Sequence, residues 1–255
     1  MALIENPLFW ATAIISVLIT GVSKGGFGGI AILAVPLMAL TISPVVAAGI
    51  MLPILLVMDA FSLWAWRGSW RLSYLLFMLP GAVIGVSIGT FFAGEVNDDF
   101  VRVVVGIVAV SFACYAILGT IGSRTLRAFG KPWGVLASVT AGFTSFVAHA
   151  GAPPFQAYMI PQGLSKKHYT GTSVAFFAFL NTIKIFPYAY LGQLSVPNLT
   201  ISAILVPLAP LGVWLGIWLN RKVEQDRFYQ ILYAIVLIVG LKLLADGITS
   251  LSGNA

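Results

Sequence analysis

Lys24, Asp59 and Lys184 are charged residues set in stretches of the chain that are otherwise uncharged, and Asn181 stands one helical turn before Lys184. A charge in apolar surroundings is costly unless it is paired or hydrated, so such residues mark either internal ion pairs or contacts to a polar substrate. Two interruptions rich in glycine and proline break apolar stretches of the chain. The first is Ser23-Lys24-Gly25-Gly26-Phe27-Gly28-Gly29, and the second is Ala148-His149-Ala150-Gly151-Ala152-Pro153-Pro154. Breaks of this kind end one helix and start another. They leave unpaired N–H groups where the second helix begins, expected near Gly26–Gly29 and Gly151–Phe155. The helix dipole places roughly half a positive charge there, which suits an anion, and glycine lets the anion approach the backbone.

The candidate anion-binding set is therefore Ser23, Lys24, Gly25, Gly26, Phe27, Gly28 and Gly29 from the first break, His149, Gly151 and Gln156 from the second, and Asn181 with Lys184 from a later helix. Ser145, Thr172 and Ser173 add uncharged donors. The glycines alone would also suit tight helix packing, but packing does not require a lysine. Asp59 is the candidate proton carrier; its simpler role is counter-ion to Lys24 or to Lys184. His149 is a candidate for titration near neutral pH by its residue type, or else it closes off loop backbone by hydrogen bonding. Two scattered histidines and one cysteine make no zinc pattern, and neither a P-loop nor a G-x-S-x-G elbow occurs, so no metal, cofactor or covalent catalysis is expected.

These residues belong to a very apolar chain. Of 255 residues 59% are hydrophobic and 9% charged, with mean hydropathy +0.99, where a soluble domain carries about a quarter charged residues. No charge separates Lys24 from Asp59 or Lys184 from Arg221, and only His149 lies between Lys131 and Lys166. Such stretches exceed the roughly 20 residues that a helix needs to cross hydrocarbon. Composition thus excludes a soluble enzyme, a disordered chain and a disulfide scaffold, and predicts an all-α polytopic membrane protein. The net charge of +6 reads as loop lysine and arginine on the cytoplasmic side rather than as a nucleic-acid surface. Cys114, in an apolar run, reads as a small core residue. The N-terminal segment lacks a basic n-region and a small-residue cleavage site, so the first helix is expected to be retained. Trp64, Trp66, Trp70, Tyr74, Tyr188 and Tyr190 read as an interfacial aromatic belt.

Weak internal similarity divides the chain in two. Gly21–Gly29 aligns with Gly142–Gly151, Gly49 with Gly171, Asp59 with Asn181, and Gly81 and Gly85 with Gly212 and Gly216, at offsets of about 122–131 residues. The first repeat, 1–122, is predicted to hold a broken hairpin at 7–41 and helices at 44–66, 73–93 and 100–121. The second, 123–255, holds a hairpin at 132–162 and helices at 169–191, 197–219 and 226–248. If each broken segment returns to the side it entered from, ten of the fourteen basic residues share one side, in loops 67–72, 122–131, 163–168 and 220–227. Full crossing by the broken segments would abolish that asymmetry, so the positive-inside rule favours hairpins, with both termini outside. Three crossings plus a hairpin per half make the halves inverted repeats, the architecture of secondary transporters.

The sequence resembles the TauE/SafE family of sulfite exporter-like permeases. The resemblance is carried by Gly21-Val22-Ser23-Lys24-Gly25-Gly26-Phe27-Gly28-Gly29, by Gly142-Phe143-Thr144-Ser145 through His149-Ala150-Gly151-Ala152-Pro153-Pro154, and by Tyr169-Thr170-Gly171-Thr172. It implies transport of sulfite, thiosulfate or an organosulfonate across the cell (inner) membrane. The expected function is a secondary transporter that binds the anion between the hairpins near the midplane, with alternating access. A channel-like anion pore is the alternative, and a membrane enzyme acting on a sulfur compound a further one. Expected partners are the anion, membrane lipid and a second copy of the chain as a homodimer, with no nucleic acid.

Overall fold

Every regular element is helical in the computed structural model of the chain, which describes residues 6–26, 30–93, 98–121, 129–222 and 225–253. In chain order the helices are α1 (Pro7–Lys24), α2 (Ala34–Ala39), α3 (Pro44–Ala65), α4 (Leu72–Ala93), α5 (Asp98–Ile121), α6 (Lys131–Ala148), α7 (Ala152–Met159), α8 (Lys166–Tyr190), α9 (Val196–Leu205), α10 (Leu208–Lys222) and α11 (Gln225–Gly253). Local sequence accounts for several starts. Asn6 caps α1 by accepting from Leu8 N–H, and Ser43 caps α3 by accepting from Val45 N–H. In both, proline fills the first helical position, where no N–H is needed.

Both broken segments turn back on themselves. A 3-10 turn at Ile30–Leu33 leads into α2, and the Ser16 hydroxyl donates to the Ala34 carbonyl at 3.0 Å while the Thr12 and Thr41 hydroxyls lie 3.5 Å apart. Residue numbers rise on one arm as they fall on the other, so the arms are antiparallel. The second segment ends in a 3-10 turn at Ile160–Gln162. There the Gln162 amide donates to the Phe129 carbonyl at 3.1 Å, so the chain has returned to the start of α6.

One expected element is corrected. The segment 197–219 is not a single straight helix: α9 and α10 meet at a 46° bend around Val206–Pro207. Pro207 has no N–H to give the preceding turn. Prolines 53, 80 and 187 lie inside α3, α4 and α8 without ending them. Among the described residues three helices, α1, α3 and α4, are long and apolar enough to cross a membrane, or four with the bent pair, against the six full crossings expected. Helices α5, α8 and α11 nevertheless reach 24, 25 and 29 residues.

Helix packing depends on close backbone approach. A Cβ added at Gly25 would lie 2.5 Å from the Ile217 nitrogen, and one at Gly21 2.6 Å from the Gly212 Cα, so α1 and α10 run side by side in parallel. Gly81 and Gly85 bring α4 equally close to Val135, Ser138 and Val139 of α6, also in parallel. Without a hydrophobic drive between helices in lipid, such small-residue contacts supply the van der Waals packing. In contrast, α3 crosses α8 antiparallel: Gly49 approaches Gln193, and the Ser69 carbonyl beyond the end of α3 pairs with His168 Nδ1 at 2.9 Å. Helices α5 and α11 are antiparallel as well, with Gly106 near Leu244 and Gly247 near Val103.

Arg67, Arg71, Lys131, Lys166 and Lys167 share one end of the bundle, since loops 66–71 and 163–168 touch through Ser69 and His168, Arg71 N–H donates to Thr172, and Gln162 ties Phe129 beside Lys131 to the same end. Arg124 and Arg127 lie outside the described residues. Asp99 sits where α5 begins, paired with Arg102 at 2.7 Å and accepting from Ser250. Phe91, Phe186, Tyr190 and Trp64 are exposed, as suits a lipid-facing surface. Two assignments change. Tyr188 is no belt residue, because it is fully buried and donates to the Phe146 carbonyl at 2.6 Å. Cys114 is exposed rather than core, since it faces outward from α5.

Candidate functional site

The end of α1, the break after α6 and the middle of α8 converge on one cavity of about 60 Å³, bounded further by α3. Ser23, Lys24 and Gly26 line it from the first break, Ser145, His149 and Gln156 from the second, and Ser173, Phe177 and Asn181 from α8. A space of this size holds a few water molecules or one small anion. Residues as far apart in the chain as Ser23 and Asn181 thus share one wall.

Asp59 organises one side. It is 3% exposed. Its Oδ1 forms an ion pair with the Lys24 ammonium, and its Oδ2 accepts from Asn181 Nδ2 at 2.6 Å. The antiparallel crossing of α3 and α8 causes this meeting, because each residue stands ten positions after the corresponding glycine of its helix, Gly49 or Gly171. The Lys24 ammonium also lies 5.8 Å from the centre of the Phe177 ring, within cation–π range. Of the two counter-ion roles open to Asp59, the structure selects Lys24.

Lys184 is held differently. It is fully buried, and its ammonium reaches the Ser145 carbonyl at 3.0 Å, the Ser145 hydroxyl at 3.1 Å and His149 Nδ1 at 2.7 Å. Three donors meet three neutral acceptors. His149 Nε2 lies 2.9 Å from the Ala48 carbonyl, which only accepts, so the ring proton sits on Nε2 and Nδ1 receives the Lys184 bond. The His149 backbone has φ 53° in the left-handed region, which terminates α6. Its N–H returns to the Ser145 carbonyl and that of Ala150 to Thr144, a helix C-cap of the kind usually given to glycine.

The helix starts contribute less than the sequence suggests. At α7 the N-cap Gly151 has no capping side chain, Pro153 and Pro154 carry no N–H, and Phe155 N–H donates to the Gly151 carbonyl at 3.4 Å. The expected row of free donors from Gly151 to Phe155 shrinks to Gly151 and Ala152. Helix α2 has six residues and follows a 3-10 turn, which leaves little aligned dipole. Gly25 lies against Gly216 and Ile217 of α10, and Gly151 lets α7 approach the Ala141 carbonyl, where a Cβ would sit 2.6 Å away. Phe27, Gly28 and Gly29 lie outside the described residues. Side chains, more than helix ends, therefore set the electrostatics of the cavity.

Two contributors were not anticipated. Phe177 lines the cavity beside Lys24, and its spacing of four and seven from Asn181 and Lys184 marks one helix face, a signal present in the sequence. The Ala48 carbonyl that orients His149 left no sequence signal. Two lysines and one aspartate converge here, and because Lys24 takes the aspartate, Lys184 has no carboxylate partner.

The family model described as sulfite exporter TauE/SafE matches residues 13–243. No curated protein and no solved structure matches the chain.

Proposed function

The chain belongs to the sulfite exporter TauE/SafE family and is a multi-pass membrane transporter rather than an enzyme; from that premise we propose that it is a secondary carrier of a small sulfur-containing anion in the cell membrane. The substrate class is sulfite, thiosulfate or an organosulfonate. The anion binds between the two broken segments, in the cavity that Lys24, His149, Gln156 and Asn181 line. The observation that carries this reading is the pairing: there is one aspartate for two lysines, which leaves Lys184 without a carboxylate behind a cavity of anion size. A proton on Lys184 in this water-poor interior is costly while the cavity is empty, and an anion entering the cavity offsets that cost.

Alternating access is supported by the reciprocal packing. The third long helix of each proposed repeat, α4 or α10, packs in parallel on the first helix of the other, while the paired equivalents α3 with α8 and α5 with α11 run antiparallel. This is the pattern expected of an inverted duplication, with 1–122 and 123–255 as repeats rocking about the site. Counterflow in proteoliposomes tests the carrier. Unlabelled thiosulfate inside should accelerate entry of labelled thiosulfate, whereas flux that rises linearly with concentration and ignores internal anion would instead establish a pore.

A further inference from the structure

Lys184 and Asp59 are both buried and ionisable beside the cavity, yet only one has spare capacity. Both oxygens of Asp59 are engaged, one by a full positive charge and one by an amide. Protonating it would break the ion pair and leave Lys24 unmatched. Lys184 has no carboxylate, only a backbone carbonyl, a hydroxyl and a neutral imidazole. Losing its proton orphans no other charge.

Location adds a route. Ser145 and His149 each line the cavity and each bond to Lys184, which is itself shielded behind them. The Ser145 hydroxyl is the group able to pass a proton: it accepts one from cavity water while giving its own to the Lys184 amine, and reverses to release it. His149 offers no such path, because its Nε2 proton is committed to the Ala48 carbonyl. The other charged and titratable groups facing Lys184 are Tyr188 on its own helix, 5.9 Å from ammonium to ring centre, Lys24 from α1 and Asp59 from α3. Helix α6 presents the neutral Ser145.

We propose that Lys184 carries a proton co-transported with the anion: protonated while the cavity is occupied, neutral while it is empty, with Ser145 as its relay. This rests on the anion-site reading above and replaces Asp59 as coupling residue, leaving Asp59 as the fixed counter-ion of Lys24. One proton binds and one is released per cycle, so a monovalent sulfonate moves without net charge and divalent thiosulfate with one net negative charge.

The test measures binding of thiosulfate and of methanesulfonate to the purified full-length protein in nanodiscs between about pH 6 and pH 9. Neither anion titrates in that range, so any pH dependence belongs to the protein. With proton uptake linked to binding, the wild-type Kd should rise toward a limit of about tenfold per pH unit. Lys184→Arg fixes the charge, since a guanidinium does not deprotonate, and should bind at every pH with a flat profile. Lys184→Gln removes the charge and should bind weakly, also with a flat profile. A flat wild-type profile overturns the proposal, as does a wild-type slope persisting in Lys184→Gln, which is the smaller substitution should arginine fail to fit. Absence of binding of either anion at all pH values, in folded wild-type protein, defeats the anion site itself and this proposal with it.

Discussion

Lys24 and Lys184 approach the same cavity from opposite parts of the chain, but a carboxylate compensates one and neutral acceptors the other. The first cluster is charge-neutral: an ammonium, a carboxylate and an amide, with both carboxylate oxygens engaged. The second is a cation solvated by protein dipoles. A side-chain deletion in the first cluster exposes a bare charge, whereas one in the second leaves remaining acceptors around the same charge. The first cluster is therefore suited to holding α1, α3 and α8 together, and the second to changing its charge state.

Removing the carboxylate should have the largest effect. Asp59→Ala orphans Lys24, whose side chain is 10% exposed, and breaking a buried pair from one side costs about 3–5 kcal/mol. Thermal unfolding in detergent should show a large loss. Adding Lys24→Met should recover most of it, because no charge is then left unpaired. A double variant as unstable as Asp59→Ala would break the comparison, since the ion pair would not be what α1 and α3 depend on.

Next in size is Lys24→Ala, read by anion affinity. The change removes a charge from the cavity wall and leaves Asp59 facing the anion, so thiosulfate binding should weaken by roughly ten- to a hundredfold, equivalent to about 1.5–3 kcal/mol. Lys24→Met with Asp59→Asn sharpens the result. If Lys24 acts by cancelling Asp59, the double variant binds better than Lys24→Ala alone; if it touches the anion directly, both bind equally poorly. Wild-type affinity in a folded Lys24→Ala protein would remove Lys24 from the site.

Much of this arrangement could be read before any coordinates. The helices at 44–66, 73–93 and 100–121 were bounded by residues that act locally, such as Ser43 with Pro44, and they recur as Pro44–Ala65, Leu72–Ala93 and Asp98–Ile121. The grouping of Arg67 and Lys166 at one end followed from charge alone. Residues that act through distant partners were less legible. Asp59 could have answered either lysine, and only the crossing of α3 with α8 decides between them. Proline was ambiguous as well: Pro53, Pro80 and Pro187 continue their helices, whereas Pro207 marks the bend. Whether neighbours support a missing backbone bond is a tertiary property. Pro153 and Pro154 carry a legible signal that the expected row of donors from Gly151 to Phe155 passes over, because proline lacks the donor wherever it lies.

Asn181→Ala should follow in magnitude. It strips Asp59 Oδ2 of its amide donor but leaves Oδ1 on Lys24. A buried acceptor without its partner costs about 1–3 kcal/mol, visible as a smaller drop in unfolding temperature than for Asp59→Ala. An equal drop would mean that the amide, not the ammonium, holds the carboxylate.

Ser145→Ala should have the smallest effect on stability, for reasons specific to the second cluster. The substitution deletes one of three acceptors of Lys184 and retains the Ser145 carbonyl at 3.0 Å and His149 Nδ1 at 2.7 Å. Alanine preserves the helical backbone that returns Ser145's carbonyl to His149 N–H, so the left-handed cap of α6 survives. Because position 145 faces the cavity, water is able to take the place of the lost hydroxyl. The net cost should therefore stay near that of one ordinary hydrogen bond, about 1 kcal/mol. Proton movement should respond differently, because the bridging hydroxyl is gone while the lysine that holds the proton remains. In proteoliposomes loaded with a pH indicator, Ser145→Ala should slow anion-driven proton entry while the pH dependence of thiosulfate Kd is kept. A stability loss as large as that of Asp59→Ala would show the two lysines to be equally structural and erase the distinction between the clusters.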